Sequence, residues 1–310
     1  MRTKPTAAAP SIVDPKYLTA DQVNQFDTEG YLHLPGFLPA GLLENLRGQA
    51  DRLLQEITEA ASAPDNKHPL LEHVSLMHSF ARPFVHMVHS FHLAAGEESL
   101  ELLGYPGILK IAEDLCGPNF ISTGDALVTK HKYDKCKIDW HQDYKFPSPA
   151  GHRSFAMGIY LDDSMPGDGA VQFIPRTQDK RRKVAPYIET PPDNIIELDV
   201  KAGDVLLHDL LLLHRAGRIR ENARRRTIYH EFHSMEQVED EEDWPEIIMR
   251  RRMDLLATSL ENYRIKYPDR EQYKWNIAPK WRSDNVDADL WTVYKDKVKF
   301  DNAVYHAAEE

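Results

Sequence analysis

The chain has 310 residues, of which 42% are hydrophobic, and this is enough to form a sizeable packed core. Its formal net charge is −11 at pH 7, which argues against a nucleic-acid partner or an anionic membrane surface. No apolar stretch approaches the roughly 18 residues of a transmembrane helix, and residues 1–10 lack the apolar segment of a signal peptide. The two cysteines, Cys116 and Cys136, are typical of reduced thiols, so we expect a soluble cytoplasmic protein.

The first part of the chain predicts a flexible tail over residues 1–14 and a helical region over 15–118. A capping box formed by Thr19 and Gln22 opens the first helix, and Gly30 ends it. Apolar periodicity and turn residues define the other elements, which are a strand over 31–34 and helices over 40–60 and 106–115.

Residues 119–235 contain short apolar runs separated by turns rich in Gly, Pro and Asp. Many short strands at modest spacing predict an antiparallel sandwich or barrel, and a jelly roll is one solution. We therefore expect a mainly β core with flanking helices. Its predicted strands are 126–130, 154–161, 170–174, 195–198, 205–207, 210–213 and 227–232.

Residues 236–310 predict a C-terminal extension of helices and aromatic residues. Trp275, Trp281 and Trp291 are too many large aromatics for a disordered tail, so we expect this extension to pack on the core. There it would cap the barrel mouth or form a homodimer interface. No repeat or linker divides residues 1–310, which predicts a single domain.

The most distinctive local pattern is His141-Gln142-Asp143. On an extended segment residues i and i+2 face the same side, so His141 and Asp143 can converge on one metal while Gln142 points away. With a distant second histidine, this spacing is typical of the facial triad that holds Fe(II) and leaves coordination positions open. Zinc is the main competitor, because two histidines and a carboxylate also form hydrolytic zinc sites.

The distal histidine is either His208 or His214, and spacing alone does not separate them. They are six residues apart, so both could face the same side of one regular strand. His214 ends a very apolar stretch, where a buried histidine is expensive unless it has a partner. Asp209 is an alternative carboxylate.

A basic run follows, in which alternation puts Arg225, Thr227 and Tyr229 on one face of a strand and Arg226 on the other. If the first face points into a barrel, a buried Arg225 needs an anion, and a bidentate carboxylate supplies one. The alternative is that the arginines of this run all lie on the surface.

Four segments, in order along the chain, resemble a known family. Trp140-His-Gln-Asp143 is similar to its proximal metal motif. The other three segments are Leu18–Gln22 with Gly30–Phe37, Gly169–Pro175, and Gly203–Gly217 with Arg225. Together they span about residues 18–235, and the combination resembles the phytanoyl-CoA dioxygenase (PhyH) family of iron(II)/2-oxoglutarate-dependent oxygenases. The resemblance implies a double-stranded β-helix, which is a jelly-roll, cupin-like core.

The resemblance also implies functional residues. The family's distal ligand ends a strand and precedes a turn with glycine, which matches His214 and not His208. Arg225, aided by the hydroxyl of Thr227, would bind the far carboxylate of 2-oxoglutarate. The implied reaction consumes O2 and 2-oxoglutarate, releases succinate and CO2, and abstracts a hydrogen atom from the substrate.

The triad carboxylate separates two outcomes. Halogenases that resemble this family have a small residue at this position, so Asp143 favours hydroxylation over halogenation. The chain departs from the family pattern at Arg176 and Gln178, where Gly and His are usual, and at Arg215, where a small residue is usual. These departures lie outside the triad and would reshape nearby loops.

The sequence predicts the substrate only as a class, namely a small or medium-sized natural-product-like molecule with polar groups. Its predicted contacts are Gly158, Tyr160 and Gln172. The histidine-rich segment 68–92 predicts a polar substrate lid, a second metal site at His86 and His89, or plain surface histidines.

Two other functions remain open at this point. In a zinc- or nickel-bound hydrolase or isomerase of the cupin type, Arg225 would bind the substrate instead of a cosubstrate. A non-catalytic metal-binding sensor would also need the three ligands.

Overall fold

The computed structural model describes residues 17–63, 68–79, 82–131, 138–145, 153–167, 169–217, 219, 224–241 and 244–282. The predicted tail over 1–14, Cys136 and Trp291 lie outside these described residues. Within the described ranges, no helix combines the length and the apolar character needed to span a bilayer.

Antiparallel strands form two sheets. The strands are β1 (Tyr31–Leu34), β2 (Val74–Ser79), β3 (Arg82–His89), β4 (Phe120–His131), β5 (Ile138–His141), β6 (Ser154–Tyr160), β7 (Val171–Phe173), β8 (Ile196–Glu197), β9 (Val205–Asp209), β10 (His214–Ala216) and β11 (Arg224–Ser234). The larger sheet has the order β1-β9-β6-β11-β4-β3-β2, and the smaller one has the order β5-β10-β7-β8. The predicted mainly β, jelly-roll core with flanking helices is confirmed.

Eight α-helices are described, most of which pack on the larger sheet, whereas α6 lies against β5 of the smaller sheet. They are α1 (Ala20–Glu29), α2 (Ala40–Ser62), α3 (Phe91–Ala95), α4 (Leu100–Leu103), α5 (Pro106–Cys116), α6 (Ala185–Glu189), α7 (Met235–Asp240) and α8 (Glu246–Lys266). The main hydrophobic core joins helical residues such as Leu46 and Ile111 to Met157, Leu207 and Ile228 of the sheet. Because side chains alternate along a strand, the neighbours of these sheet residues face the opposite side.

The N-terminal prediction agrees closely with the structure. Thr19 and Gln22 form both hydrogen bonds of the capping box, and Gly30 ends α1 in the left-handed conformation with φ of 84°. The unusual Arg176 and Gln178 have a structural role here. Arg176 forms an ion pair with Glu29, and Gln178 donates to the carbonyl of Asp27, so the loop after β7 is tied to the end of α1.

The predicted strand over 210–213 is wrong. These residues form a buried turn between β9 and β10, in which the Leu212 amide donates to the carbonyl of Asp209 at 2.9 Å. The Leu211 amide donates to the carboxylate of Asp209 at 2.8 Å. A short apolar run does not distinguish a strand from a buried turn, because burial alone makes both apolar.

The histidine-rich segment 68–92 contains the antiparallel pair β2 and β3 at one edge of the larger sheet, where sequence alone suggested a lid or a second metal site. His86 and His89 lie on β3, and residues three apart on a strand face opposite sides. They therefore do not form a chelating pair. His89 instead shares a hydrogen bond of 2.9 Å with Ser75 of β2.

A buried ion pair joins α8 to the larger sheet. Arg252 donates to Asp125 at 2.6 Å and to the carbonyl of Ser122 at 2.7 Å. Burial would raise the pKa of Asp125, but Arg252 more than offsets this and keeps the carboxylate ionised. Helix α8 is thus held to the sheet by a buried ion pair, and removal of either partner would leave the other charge buried and unpaired.

We predict that Arg252→Met lowers the free energy of unfolding by about 3–5 kcal/mol, because Asp125 would stay buried without its cation. Arg250→Ala is the matched control on the same helix, since Arg250 is half exposed and pairs with Glu246 at the surface. Loss of this surface ion pair should lower the free energy of unfolding by less than about 1 kcal/mol. Urea unfolding followed by circular dichroism measures both, and equal losses would contradict the prediction.

Candidate active site

Three side chains converge at the junction of β5 and β10. His141 is the last residue of β5 and pairs directly with His214, the first residue of β10. One ligand atom from each of His141, Asp143 and His214 lies within 4.8 Å of the other two. The Asp143 carboxylate is 3.3 Å from Nε2 of His141 and 3.6 Å from Nε2 of His214. This group could hold one metal ion.

Backbone carbonyls orient both imidazoles. Nδ1 of His141 lies 2.8 Å from the carbonyl oxygen of Asp139, and Nδ1 of His214 lies 2.9 Å from that of Leu212. An Nδ1–H that donates to a carbonyl leaves the lone pair of Nε2 free. Such outer contacts fix the tautomer and the ring orientation of metal-binding histidines.

Gln142 points away from this centre, as alternation predicts, and supports it from behind. Its side-chain amide donates to the carbonyls of Leu211 and Lys180, and its side-chain oxygen accepts from the Arg182 amide at 2.7 Å. Gln142 thereby ties the end of β5 to the turn that precedes His214.

The pKa shifts of Asp143 and His214 suit metal binding, whereas the Asp143 carboxylate outweighs burial and raises the pKa of His141, so a metal would have to displace a proton there. Burial would raise the pKa of Asp143, but the nearby His214 and hydrogen bonds with His141 and His208 hold it well below its usual range. Burial, with the neighbouring His141, lowers the pKa of His214 to about 3. An ionised carboxylate and a neutral imidazole are the forms that bind a metal.

His208 lies close to the triad but in the other sheet. It is buried on β9, and its Nε2 is 3.2 Å from the second oxygen of Asp143. The ring centroids of His208 and His214 are 4.5 Å apart, although the buried turn separates them along the chain. His208 therefore contacts the carboxylate ligand rather than belonging to the group of three.

Arg225 lies on the cavity face of β11, and Arg226 lies on the opposite face. The side chain of Arg226 forms a bidentate pair with Asp162 and a further ion pair with Asp51 at 2.7 Å. Arg225 is 1% exposed and donates to the carbonyl of Gly169. No carboxylate among the described residues pairs with it, and its Nε atom has no hydrogen-bond partner there.

A cavity of about 390 Å³ opens between the two sheets and includes the triad, His208 and Arg225. Part of its wall comes from the C-terminal extension, through Trp244, Ile248 and Arg252. Trp275 and Trp281, in contrast, pack in a separate hydrophobic cluster beneath the sheet.

The predicted substrate contacts Gly158, Tyr160 and Gln172 are not among the residues that line this cavity. A side chain at Gly158 would meet the ring of Tyr229 at 3.0 Å, so Gly158 lies beneath a wall residue. Tyr160 is buried, and Gln172 is hydrogen-bonded to Glu197 and Arg215. Arg215 also stacks on the ring of Trp140, which accounts for this departure from the family motif.

Glu231 is a cavity residue that the sequence analysis missed. It lies two residues beyond Tyr229 on β11, and its side chain lines the cavity. Its carboxyl group forms no hydrogen bond or ion pair with the described residues. Burial raises its pKa to about 7, with a further contribution from the Asp143 carboxylate. Extending the alternation of Arg225, Thr227 and Tyr229 by one step would have found it.

A protein-family model matches most of the chain. The model of the phytanoyl-CoA dioxygenase (PhyH) family matches residues 26–227. The chain belongs to this family. The match covers His141, Asp143, His214 and Arg225, and it ends before Glu231. Among curated proteins, none matches the chain.

Solved structures share the fold. EvdMO1 is 24% identical with a TM-score of 0.59, over 69% of this chain and 49% of EvdMO1, so the chain spans about half its length. EctD from S. alaskensis, solved with 2-oxoglutarate and 5-hydroxyectoine, is 18% identical with a TM-score of 0.56. The match covers 76% of this chain and 80% of EctD. The epimerase SnoN, in complex with Fe3+, alpha ketoglutarate and nogalamycin RO, is 20% identical with a TM-score of 0.52. The match covers 69% of this chain and 82% of SnoN.

Family membership and the donor set agree. Two imidazoles and one carboxylate suit Fe(II) with open positions, and the unpaired Arg225 suits a carboxylate cosubstrate. Iron and 2-oxoglutarate are the cofactors of this non-haem iron enzyme, and its chemistry is of the oxygenase type.

We predict that Co(II) raises the melting temperature of the apoprotein and that His214→Ala removes this effect, because a ligand that binds only the folded state stabilises it. His208→Gln should keep the effect with metal affinity lowered about 10–100-fold, as expected for a residue that supports a ligand. Scanning fluorimetry over a metal titration measures both variants. If both variants lost the Co(II)-induced rise in melting temperature to the same extent, His208 would itself be a ligand.

We predict a pH-dependent gain in stability for Glu231→Gln in metal-free protein. The carboxyl pKa is raised to about 7 in the folded state, so between its unfolded value and pH 7 the folded state holds a proton that the unfolded state has lost. Wild-type stability therefore falls as pH rises through this window, by up to about 3 kcal/mol. Urea unfolding in EDTA should show that the free energy of unfolding of Glu231→Gln rises relative to that of wild type from about pH 5 to about pH 8. A difference between the two proteins that does not change with pH would contradict this.

Proposed function

We propose that the protein is an Fe(II)/2-oxoglutarate-dependent dioxygenase that hydroxylates an unactivated C–H bond of a small molecule. Succinate and CO2 are the coproducts. The reaction would be a tailoring step on a natural-product-like substrate in secondary metabolism. The EctD structure, which holds 2-oxoglutarate with a hydroxylated compound, supports hydroxylation as the first choice.

In this proposal His141, Asp143 and His214 are the iron ligands. Three protein ligands leave coordination positions for the cosubstrate and for O2, and bound iron would supply the redox chemistry. The presence of a carboxylate at Asp143 favours hydroxylation over halogenation, because it fills the position that a halide would need.

Arg225 carries the proposal. A buried guanidinium without an anionic partner is costly, and the cost is recovered only when an anion binds. The hydroxyl of Thr227, on the same face, is buried without a well-formed hydrogen bond among the described residues. Together they offer donors to one carboxylate, which is the role we propose for them toward 2-oxoglutarate.

The neighbouring tyrosines would keep this end of the site neutral. Burial, with the adjacent Tyr229, raises the pKa of Tyr160 well above its usual value, and burial likewise raises that of Tyr229. Both therefore remain uncharged phenols beside Arg225. The anion at Arg225 must then come from a bound ligand.

The alternatives differ in what binds Arg225. A zinc- or nickel-bound hydrolase or isomerase would use the triad without 2-oxoglutarate, and a metal sensor would turn over nothing. Epimerisation is a further outcome of the same cofactors, since SnoN is described as an epimerase. Product mass after incubation with a substrate separates these, because hydroxylation adds one oxygen atom.

We predict that anaerobic Fe(II) and 2-oxoglutarate give a weak visible charge-transfer band from their chelate in the wild-type protein. Arg225→Ala should raise the dissociation constant of 2-oxoglutarate about 100-fold, because two charge-assisted hydrogen bonds are lost. Titration of the band with 2-oxoglutarate under argon measures this.

Arg226→Ala is the matched control, since it removes the same side chain from the opposite face of the same strand. It should lower the stability of the fold by about 3 kcal/mol and leave the affinity for 2-oxoglutarate close to that of wild type. A larger effect on affinity from Arg226 than from Arg225 would contradict the proposed site. Absence of the band, with tight retention of zinc, would favour the hydrolase.

A further inference from the structure

Two acidic side chains of the cavity lining, Asp125 and Glu231, have no role in the proposed chemistry, and only Asp125 is neutralised by an ion pair, with Arg252. Glu231 is half-buried and faces the cavity, and its carboxyl group forms no hydrogen bond or ion pair with the described residues. Arg252 acts on this carboxyl group electrostatically, but it is already bonded to Asp125 and to two atoms of Ser122. A carboxyl group in a cavity without an ionic partner is a candidate for a functional role.

The strands beside Glu231 leave room for a ligand group. Glu231 pairs with Gly124 of β4 on one side and with Ala156 of β6 on the other, and both line the cavity. Gly124 has no side chain and Ala156 has only a methyl group. Neither neighbouring strand therefore places a large side chain directly opposite the carboxyl group at these two paired positions.

The same row of the sheet leads to the metal ligands. Ala156 pairs in turn with His208, whose Nε2 contacts the carboxylate of Asp143. Two strand spacings separate Glu231 from His208, which is about 10 Å between backbones. A group held at Glu231 is thus close enough for the rest of a small molecule to reach the metal centre.

Glu231 and Arg225 lie at opposite ends of the cavity face of β11. They are six residues apart, which corresponds to about 20 Å along a strand. In the proposed function, 2-oxoglutarate occupies the Arg225 end. Glu231 therefore belongs to the substrate end, and the cosubstrate cannot be its partner.

Charge balance indicates what the partner is. The two positive charges of Fe(II) and the one of Arg225 balance Asp143 and the two carboxylates of 2-oxoglutarate. The pair of Arg252 and Asp125 is neutral by itself. Arg181 and Arg215 also line the cavity, but Arg181 donates to the carbonyls of Gln142 and Tyr144, and Arg215 donates to Gln172 and stacks on Trp140. An ionised Glu231 therefore has no ion pair with a cation among the described residues, and a cationic ligand would supply one.

We propose that Glu231 binds a protonated amine of the substrate, so that the enzyme acts on small organic cations. This inference rests on the proposed function, which defines the cosubstrate end of the cavity. The amine would anchor the substrate by a charge-assisted hydrogen bond, and a carbon atom elsewhere in the molecule would face the metal.

Two probes of matched shape test this, benzylamine and benzyl alcohol, which differ in one ammonium against one hydroxyl group. The protein is loaded with Mn(II) and 2-oxoglutarate, and the relaxation rates of the probe protons are measured by NMR, because a paramagnetic metal in the same cavity accelerates them. Wild type should bind benzylamine about tenfold or more tightly than benzyl alcohol, as expected for a hydrogen bond to a charged group.

Glu231→Gln should abolish this preference, since it keeps the shape and removes the charge. Glu231→Asp should retain it in weakened form, which separates loss of charge from loss of fold. Glu56→Gln is the control for net charge, because Glu56 is exposed on α2, and it should behave as wild type. A wild type that binds both probes equally or binds neither overturns the proposal, as does a preference that survives in Glu231→Gln.

The chelate band of wild type with Fe(II) and 2-oxoglutarate separates this failure from that of the proposed function. If the band forms and the amine preference is absent, only the substrate inference is wrong. If the band does not form, 2-oxoglutarate does not bind at Arg225. Glu231 then cannot be assigned to the substrate end of the cavity, and the proposal for the amine is overturned as well.

Discussion

The antiparallel register that sets His141 opposite His214 is the constraint on which the site depends. A slip of one residue would turn one imidazole to the other face of the smaller sheet and destroy the metal geometry. The buried turn before β10 prevents this slip. Gln142 donates to the carbonyl of Leu211, and the Leu213 amide donates to the hydroxyl of Thr177. The apolar leucines of this turn therefore serve the metal centre by burying the hydrogen bonds that fix it.

The larger sheet divides its two faces between stability and function. One face contributes Met157, Leu207 and Ile228 to the main hydrophobic core, which favours folding. The other face presents Arg225 and Glu231 to the cavity without ionic partners among the described residues. Unpaired buried charges oppose folding, so the apolar face must offset them. On the cavity face, local rules of stability are broken where ligands are expected to restore the missing interactions.

The sequence predicted the helices at the N-terminus and most strands, because capping residues and alternation are local signals, and the family resemblance implied the jelly-roll class. It also identified His141, Asp143, His214 and Arg225 as one group, through motif spacing and a family resemblance.

It did not predict the contact of His208 with Asp143, because that contact joins two sheets and depends on the turn between β9 and β10. The turn itself was mistaken for a strand, since four buried leucines give the same apolar signal in either conformation. Glu231 was missed for a different reason. Its strand was identified, but the alternation that starts at Arg225 was followed only as far as Tyr229, one step short of Glu231.

An irregularity in β4 adds to the argument for the substrate end. Glu231 pairs with Gly124 and Phe232 pairs with Ser122, so Thr123 is the extra residue of a β-bulge. Thr123 lines the cavity and donates its hydroxyl to the carbonyl of Glu231 at 3.4 Å. Bulges commonly re-aim side chains beside active sites. Here the extra residue belongs to β4, whereas the pairing of β11 with β6 continues without a shift to His233. The bulge therefore places the Thr123 side chain at the cavity wall beside Glu231 and leaves the alternation of β11 itself unbroken.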